Sequence, residues 1–122
     1  MKALLLVAHG SRREKSNEEV VDMSNKLKIH CDGEFEIVKP AFLELAEVLI
    51  PDGIKQCVNE GATSIIILPY FLNSGRHVVE DIPNIVNAEK KIYPDISIKI
   101  SSHLGASEMM MDVLISNANK SV

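Results

Sequence analysis

The sequence predicts an α/β fold with an open, four-stranded parallel sheet and helices on both of its faces. Two aliphatic runs, at Lys2–Ala8 and 65–68, have the length and density of strands in the interior of a parallel sheet, and we expect the second to be buried on both faces. Two alternating segments, at 34–39 and 96–100, are typical of less buried strands. Because a segment with helical spacing follows each of the four, the order βαβαβαβα implies parallel strands joined by right-handed crossovers. We expect a single domain over residues 1–122.

Capping and breaking residues predict the first two helices. Ser16 is expected to cap the first helix, which ends near His30, before the turn at Asp32-Gly33. Pro51 suits the first turn of the second helix, and Gly61 is a typical residue to end it. The predicted apolar stripe of the first helix consists of Val20, Met23, Leu27 and Ile29.

Proline and serine predict the limits of the later elements. Pro40 is expected to end the pairing of the second strand, near a sheet edge, and Pro69 that of the third, because proline has no N–H for a ladder. After a short loop, a helix is predicted to begin at His77 and to continue through Lys91. Ser107 is expected to cap the final helix. The apolar positions of that helix include Met110, Met111, Leu114 and Ile115.

The composition excludes several classes of partner. A net charge of −4 gives no general attraction to nucleic acid or to anionic membranes, and an aromatic content of 4% offers few bases a stacking surface. The N-terminal apolar run ends at His9 without a cleavage pattern, and no run approaches the ~20 residues of a membrane span. Cys31 and Cys57 are isolated thiols, as in a reducing compartment. We therefore predict a cytoplasmic protein with neither a nucleic-acid nor a membrane partner.

Three titratable side chains follow three different predicted strands. Open α/β sheets bind ligands beyond the carboxyl ends of their strands, and there the sequence has His9, Glu44 and His77. Two imidazoles and a carboxylate suit iron, cobalt or nickel, and the same groups can accept protons near neutral pH. Asp81, four residues after His77, lies on the same helical face and can orient its ring.

Each of these residues also has a purely structural interpretation. His9 can be an exposed loop residue, His77 a polar residue of a first helical turn, and Glu44 a solvated acid. We favour the structural interpretation for His103 and for His30, since neither has a partner in the sequence. The basic residues beside the binding loops are either a solvated face or a receptor for a polycarboxylate. They are Arg12, Arg13, Lys15 and Arg76.

Four motifs together resemble a known family. VAHGSR at 7–12, FLELAE at 42–47, LPYFLNSGRHVVEDIP at 68–83 and HLG at 103–105 are similar to those of the small, single-domain sirohydrochlorin chelatases of the CbiX and SirB type. These are class II chelatases of the siroheme, cobalamin and nickel-tetrapyrrole branches. The resemblance covers nearly the whole chain, and longer relatives join two such halves. One departure is that the family often has proline after ELAE, where this chain has Val48, and we expect the shape of that loop to differ.

The resemblance implies a lyase that inserts Co²⁺, Fe²⁺ or Ni²⁺ into sirohydrochlorin without ATP and without an organic cofactor. The divalent metal is then a substrate, and His9, Glu44 and His77 fall on the metal-binding and catalytic positions. Because sirohydrochlorin carries many carboxylates, the residues expected to bind it are basic or polar residues of the rim. They are Ser11, Arg12, Arg13 and Arg76.

The shape of the substrate also predicts an oligomer. Sirohydrochlorin is wide and flat, and a four-stranded sheet offers little area to enclose it. We expect a homodimer with a cleft shared by both subunits.

Two other functions remain open at this point. AHGSR is similar to the Arg-His-Gly of histidine phosphatases, but Arg12 follows the His-Gly instead of preceding it, and Glu44 would have no role. A metal or tetrapyrrole carrier without catalysis would use the same ligands as a chelatase. The sequence leaves the physiological metal and the pathway branch open.

Overall fold

The fold is a four-stranded parallel sheet, seen in a computed structural model that describes residues 1–121. The strands are β1 (Lys2–Ala8), β2 (Ile37–Phe42), β3 (Ser64–Pro69) and β4 (Ser97–Ile100). Their spatial order is β2-β1-β3-β4, so the two aliphatic runs occupy the centre of the sheet. This arrangement confirms the predicted α/β class, and it brings the carboxyl ends of all four strands to one edge.

Four helices alternate with the strands. They are α1 (Glu14–His30), α2 (Ile50–Asn59), α3 (Ile82–Ile92) and α4 (Met110–Asn119). A π-helical turn, His77–Asp81, leads directly into α3, and a 3₁₀ turn, Leu104–Ala106, precedes α4. Within residues 1–121, no helix has the length and apolar content needed to span a bilayer.

The main core lies between the sheet and the pair α2 and α3. Side chains from β1, β3, α2 and α3 meet there with no exposed surface. Examples are Leu5, Val7, Ile54, Ile65, Ile67, Ile82 and Val86. Helix α1 covers the opposite face, where it packs chiefly on β2 and β1. Burial of each such aliphatic side chain stabilises the fold by about 1.5–3 kcal/mol.

Strand β2 begins and ends later in the sequence than predicted. It runs from Ile37 to Phe42, three residues later than expected, and Pro40 lies inside it, opposite Leu6 of β1. The predicted position near an edge is confirmed, and it explains why Pro40 is tolerated. An edge strand pairs on one side only, so a residue that faces outward needs no N–H for the ladder.

Strand β3 is buried on one face only. Ile65 and Ile67 point into the core, whereas Ile66 and Leu68 remain half-buried on the other side. The prediction that this strand is covered on both faces is therefore wrong. The reason is that α1 lies over β1 and β2 and leaves the same face of β3 less protected.

The helix ends also correct the sequence analysis. Helix α1 begins after Arg13, so Ser16 lies within its first turn and does not cap it. The side chain of Ile29 is 77% exposed, and the buried residue of α1 is Ser24. The inward-facing stripe of α1 is thus shorter and more polar than predicted. At the other end of the chain, α4 begins after Met109 and not at Ser107.

Helix α4 has an apolar face that no other part of residues 1–121 covers. It packs mainly against the 3₁₀ turn, and Met111, Leu114 and Ile115 are each more than half exposed. These three positions are three and four residues apart, so they lie on one side of the helix.

Candidate active site

Three side chains from separate strand ends meet at the carboxyl edge of the sheet. His9 directly follows β1, Glu44 comes two residues after β2, and His77 begins the π-helical turn after β3. The Nε2 atom of His9 is 3.4 Å from Oε2 of Glu44. The imidazole rings of His9 and His77 stack with their centroids 4.4 Å apart and their planes at 30°. The structure thus brings the two histidines together, with the carboxylate beside them.

Backbone contacts between the first two loops fix this arrangement. The N–H of Leu43 donates to the carbonyl of Ala8 at 3.0 Å, and the N–H of Glu44 donates to the carbonyl of His9 at 3.1 Å. These bonds extend the parallel pairing of β1 and β2 beyond the strands themselves. His9 and Glu44 are therefore held side by side by main-chain geometry and not only by the contact between their side chains.

Gly10 makes the close approach of the two loops possible. Its backbone has φ of 96°, and a Cβ atom there would lie 1.7 Å from the carbonyl oxygen of Glu44. Only glycine combines this conformation with this contact. Gly10 belongs to the motif VAHGSR, but no role was predicted for it from the sequence. A glycine directly after a candidate ligand was the available signal.

Asp81 holds the ring of His77. Its Oδ2 atom is 2.7 Å from Nδ1 of His77, and both side chains are partly exposed. With Nδ1–H donating to the carboxylate, Nε2 is the ring nitrogen that can face a ligand. The π-helical turn that carries both residues has a local cause. Pro83 has no N–H for an α-helical bond to Val79, and the N–H of Ile82 bonds instead to the carbonyl of His77.

A cavity of about 270 Å³ opens beside these groups. Residues from the loop after β2, the π-helical turn and α3 line it: Leu43, Glu44, His77, Asp81, Asn84 and Ile85. A larger cavity of about 540 Å³ lies between α1 and the loop after Glu44. Ser11 and Arg12 line this second cavity, together with Glu14, Asn17 and Glu47.

The residues predicted to bind substrate belong to the two loops that carry the histidines. Ser11 and Arg12 line the cavity beside α1, and Arg13, whose N–H donates to the Ser11 hydroxyl at 3.1 Å, directly precedes that helix. Arg76 directly precedes His77 and is 80% exposed, with Nε 3.5 Å from Oε2 of Glu80. Their role in binding stays a prediction.

The histidines and Glu44 do not form a preassembled metal cage. Within residues 1–121, no group of three or more His, Cys, Asp or Glu side chains is arranged to hold a metal ion. Stacked rings turn their faces toward each other, so their nitrogens do not converge on one point. The side chains of His9 and Glu44 are each about half exposed. The assignment of His9, Glu44 and His77 as metal ligands stays a prediction.

The thiols lie apart from this site. Cys57 has no exposed surface, and its burial raises the pKa of the thiol to about 11. It is therefore protonated at neutral pH, and a protonated thiol is a poor nucleophile and a poor metal ligand. This agrees with the interpretation of Cys57 as a buried structural residue.

Asn17 is a second residue that the sequence analysis missed. Its side chain contacts the main chain of Ser11 and of Leu45, and so connects the loops after β1 and β2. No local sequence pattern identifies it, because a polar residue near the start of a helix is ordinary.

The fold and the rim define an open parallel α/β protein with a histidine–carboxylate site at the carboxyl edge of its sheet. Comparison with known proteins narrows this class. The CbiX family model matches residues 3–121, and the chain belongs to this family.

Relatives of two lengths resemble the chain. The chloroplastic sirohydrochlorin ferrochelatase of Arabidopsis thaliana is 38% identical over 111 residues, which are 91% of this chain and 48% of that protein. The sirohydrochlorin cobaltochelatase of Sulfolobus acidocaldarius is 32% identical over 122 residues, which are 100% of this chain and 94% of that protein.

A solved structure shares the fold. It is the crystal structure of the sirohydrochlorin chelatase SirB from Bacillus subtilis subspecies spizizenii in complex with cobalt. The TM-score is 0.86 at 30% identity, and the match covers 98% of this chain and 50% of that one. The chain therefore spans about half the length of the Arabidopsis protein and of SirB, and nearly all of the Sulfolobus protein.

Proposed function

We propose that this chain is a chelatase that inserts a divalent cation into sirohydrochlorin without ATP. The observation that carries the proposal is the stack of His9 on His77, with Glu44 3.4 Å from His9, beside an open cavity. The names of the relatives support the same substrate, since they are sirohydrochlorin ferrochelatases and cobaltochelatases.

The proposed chemistry uses the exposure of the site. A cation that must pass to a tetrapyrrole has to be bound weakly, and half-exposed imidazoles with one carboxylate can do this. Metallation also releases two protons from the ring nitrogens, which basic groups at the rim can accept. We assign metal delivery and proton uptake to His9, Glu44 and His77, with Asp81 orienting the ring of His77.

The metal is a substrate in this proposal, and no organic cofactor is part of it. Imidazole and carboxylate accept Co²⁺, Fe²⁺ and Ni²⁺, so affinity alone does not select among them. The relatives include both iron and cobalt enzymes. Two isolated cysteines support a cytoplasmic location, and we take residues 1–122 as one chelatase-like domain.

The decisive experiment measures sirohydrochlorin metallation by absorbance under anaerobic conditions, with each metal in turn. We expect His77→Ala to lose at least about a hundredfold in rate, because it removes a candidate ligand and base. His30→Ala is the matched control, since His30 is an exposed residue at the far end of α1. Full activity of folded His77→Ala would remove His77 from the mechanism.

The same assay separates the rival functions. A carrier would bind metal or sirohydrochlorin without raising the rate above the spontaneous one. A phosphatase would hydrolyse a generic phosphate ester in the absence of tetrapyrrole. The nucleophile of that reaction would be His9, and Glu44, which lies 3.4 Å from it, would have no role.

Basic residues are proposed to anchor the carboxylates of the substrate. Ser11, Arg12 and Arg13 follow His9 in its loop, and Arg76 directly precedes His77. We expect Arg12→Ala to raise KM for sirohydrochlorin about fivefold and to leave kcat within about twofold, because an exposed ion pair contributes about 1 kcal/mol. Lys28→Ala, at the far end of α1, should change neither value. An effect on kcat alone would contradict an anchoring role.

We also propose that the chain acts as a homodimer. The cavity beside His77, about 270 Å³, is smaller than the roughly 300–1,000 Å³ of most small-molecule pockets. The apolar face of α4, exposed within residues 1–121, offers a surface for a second copy, and the match covers only 48% of the Arabidopsis relative, which leaves room there for a second such half. A shared cleft would enclose more of a flat substrate than one sheet edge can.

A further inference from the structure

We infer that Asn17 is a positioning residue that sets the relative placement of His9 and Glu44. The inference rests on the proposed function, because it concerns the use of that pair as metal-binding groups. Asn17 lies on the second turn of α1 and is half-buried, and it touches neither histidine. It acts through the main chain of the two loops that carry His9 and Glu44.

The side chain of Asn17 bonds both polar groups of one residue. The N–H of Ser11 donates to Oδ1 of Asn17 at 2.9 Å, and Nδ2 of Asn17 donates to the carbonyl of Ser11 at 2.9 Å. This paired contact fixes the main chain two residues after His9. A side-chain amide is the group that supplies an acceptor and a donor in this geometry.

The second N–H of the same amide reaches the other loop. Nδ2 of Asn17 also donates to the carbonyl of Leu45 at 3.1 Å, one residue after Glu44. Leu45 has φ of 56°, a left-handed conformation that a leucine adopts only where its surroundings hold it there. The amide therefore uses its acceptor and both donors to join the two loops.

This bridge lies beside the bond between the N–H of Glu44 and the carbonyl of His9. Apart from this bridge, the loops are joined next to the pair by those main-chain bonds, by the close approach of Gly10 to Glu44 and by the contact between the half-exposed side chains of His9 and Glu44. A substitution that keeps the shape of the Asn17 side chain but changes its hydrogen-bond donors tests this role directly. Asn17→Asp keeps the volume but turns a carboxylate oxygen toward the carbonyls of Ser11 and Leu45, whereas Asn17→Ala removes all three bonds.

The experiment measures Co²⁺ binding by visible absorption, together with amide hydrogen exchange, in Asn17→Ala, Asn17→Asp and the wild-type chain. We expect Kd for Co²⁺ to rise about tenfold in both variants, as for other residues that orient metal ligands. The amide of Glu44 should exchange about tenfold faster, while that of Leu43 stays unchanged as an internal reference. Asn25→Ala, exposed on the same helix, should match the wild type in both measurements.

A residue that only stabilised the fold would lower Tm and leave the Kd of folded protein unchanged. Wild-type Kd in folded Asn17 variants would therefore overturn the inference, whether or not exchange at Glu44 changes. If the wild-type chain binds Co²⁺ but does not accelerate metallation, the proposed function fails while the inference is still decided by Kd. If it binds no Co²⁺, exchange at Glu44 alone decides: unchanged rates overturn the positioning role, and faster rates support it.

Discussion

The two ends of the carboxyl edge differ in how far the contacts of the chain with itself extend. On the β1–β2 side, main-chain bonds, a glycine contact and the Asn17 amide join the loops around His9 and Glu44. On the β4 side, the N–H of Gly105 donates to the carbonyl of Phe71 at 2.9 Å, and a Cβ atom on Gly105 would lie 1.7 Å from the carbonyl oxygen of Leu72, so the 3₁₀ turn is also held closely. Helix α4, which follows this turn, packs mainly against it, and nearly all of its residues are exposed.

The difference shows which part of this edge a single chain can hold in a fixed geometry. The geometry of the His9–Glu44 pair depends on contacts that the chain makes with itself, so a single copy can hold it. Within residues 1–121 the apolar face of α4 is more than half exposed, and a helix of ten residues is marginal in water without packing. We therefore expect changes on the first side to affect folding and the site, and changes on the second to affect association.

The largest effect is expected for Gly10→Ala. A Cβ atom would lie 1.7 Å from the carbonyl oxygen of Glu44, and the residue would keep a left-handed backbone. Overpacking and backbone strain together should lower the free energy of unfolding by about 3 kcal/mol or more. Urea unfolding measures this, and the metallation rate of any folded fraction should fall as well, because Glu44 must move.

Two other glycines separate the causes of this loss. Gly33 shares the positive φ, at 84°, but a Cβ there would meet nothing within 4 Å, so Gly33→Ala should cost only about 1–2 kcal/mol. Gly75 has neither feature, and Gly75→Ala should stay within about 0.5 kcal/mol of the wild type. A Gly10→Ala loss no greater than that of Gly33→Ala would show that the loops are not in close contact.

An intermediate effect is expected on the other side, from Leu114→Lys. A charge in the centre of a buried α4 face should weaken dimerisation at least about tenfold, since burial of the leucine alone contributes about 1.5–3 kcal/mol. Sedimentation over a range of concentrations measures the shift from dimer to monomer. Ser116→Lys adds the same charge on the far side of the same helix and should leave the dimer intact. A wild-type chain that is monomeric at all concentrations would contradict the homodimer.

The sequence predicted what depends on strand topology. His9, Glu44 and His77 could be expected at one edge because parallel strands end together, and the π-helical turn still left Asp81 against the ring of His77. The bounds of β2 could not be predicted in the same way. Pro40 ends a strand in the interior of a sheet but is harmless at an edge, and the sequence alone does not say which of its sides is paired.

Contacts between loops that are far apart in the sequence could not be predicted, for a different reason. The bond from Asn17 to Leu45 joins residues 28 positions apart, and neither has an unusual local pattern. For α4, the apolar stripe could be predicted but not the surface that it packs against. Its spacing correctly predicts an apolar face, but a face that packs on its own sheet and one that packs on another surface have the same sequence signature.

The smallest effect is expected for Leu45→Gly, which tests whether the Asn17 side of the rim holds strained backbone. Glycine relieves a left-handed conformation that costs leucine about 1–2 kcal/mol, but it also loses a side chain that is 45% exposed and gains unfolded-state entropy. These terms offset one another, so the free energy of unfolding should change by less than about 1 kcal/mol. Leu45→Val should lower the free energy of unfolding by about 1 kcal/mol more than Leu45→Gly does, because a branched Cβ is poorly tolerated at positive φ. Equal stabilities of the glycine and valine variants in urea would mean that Leu45 is free to leave this conformation, and that the two loops are joined less firmly than the Asn17 contacts indicate.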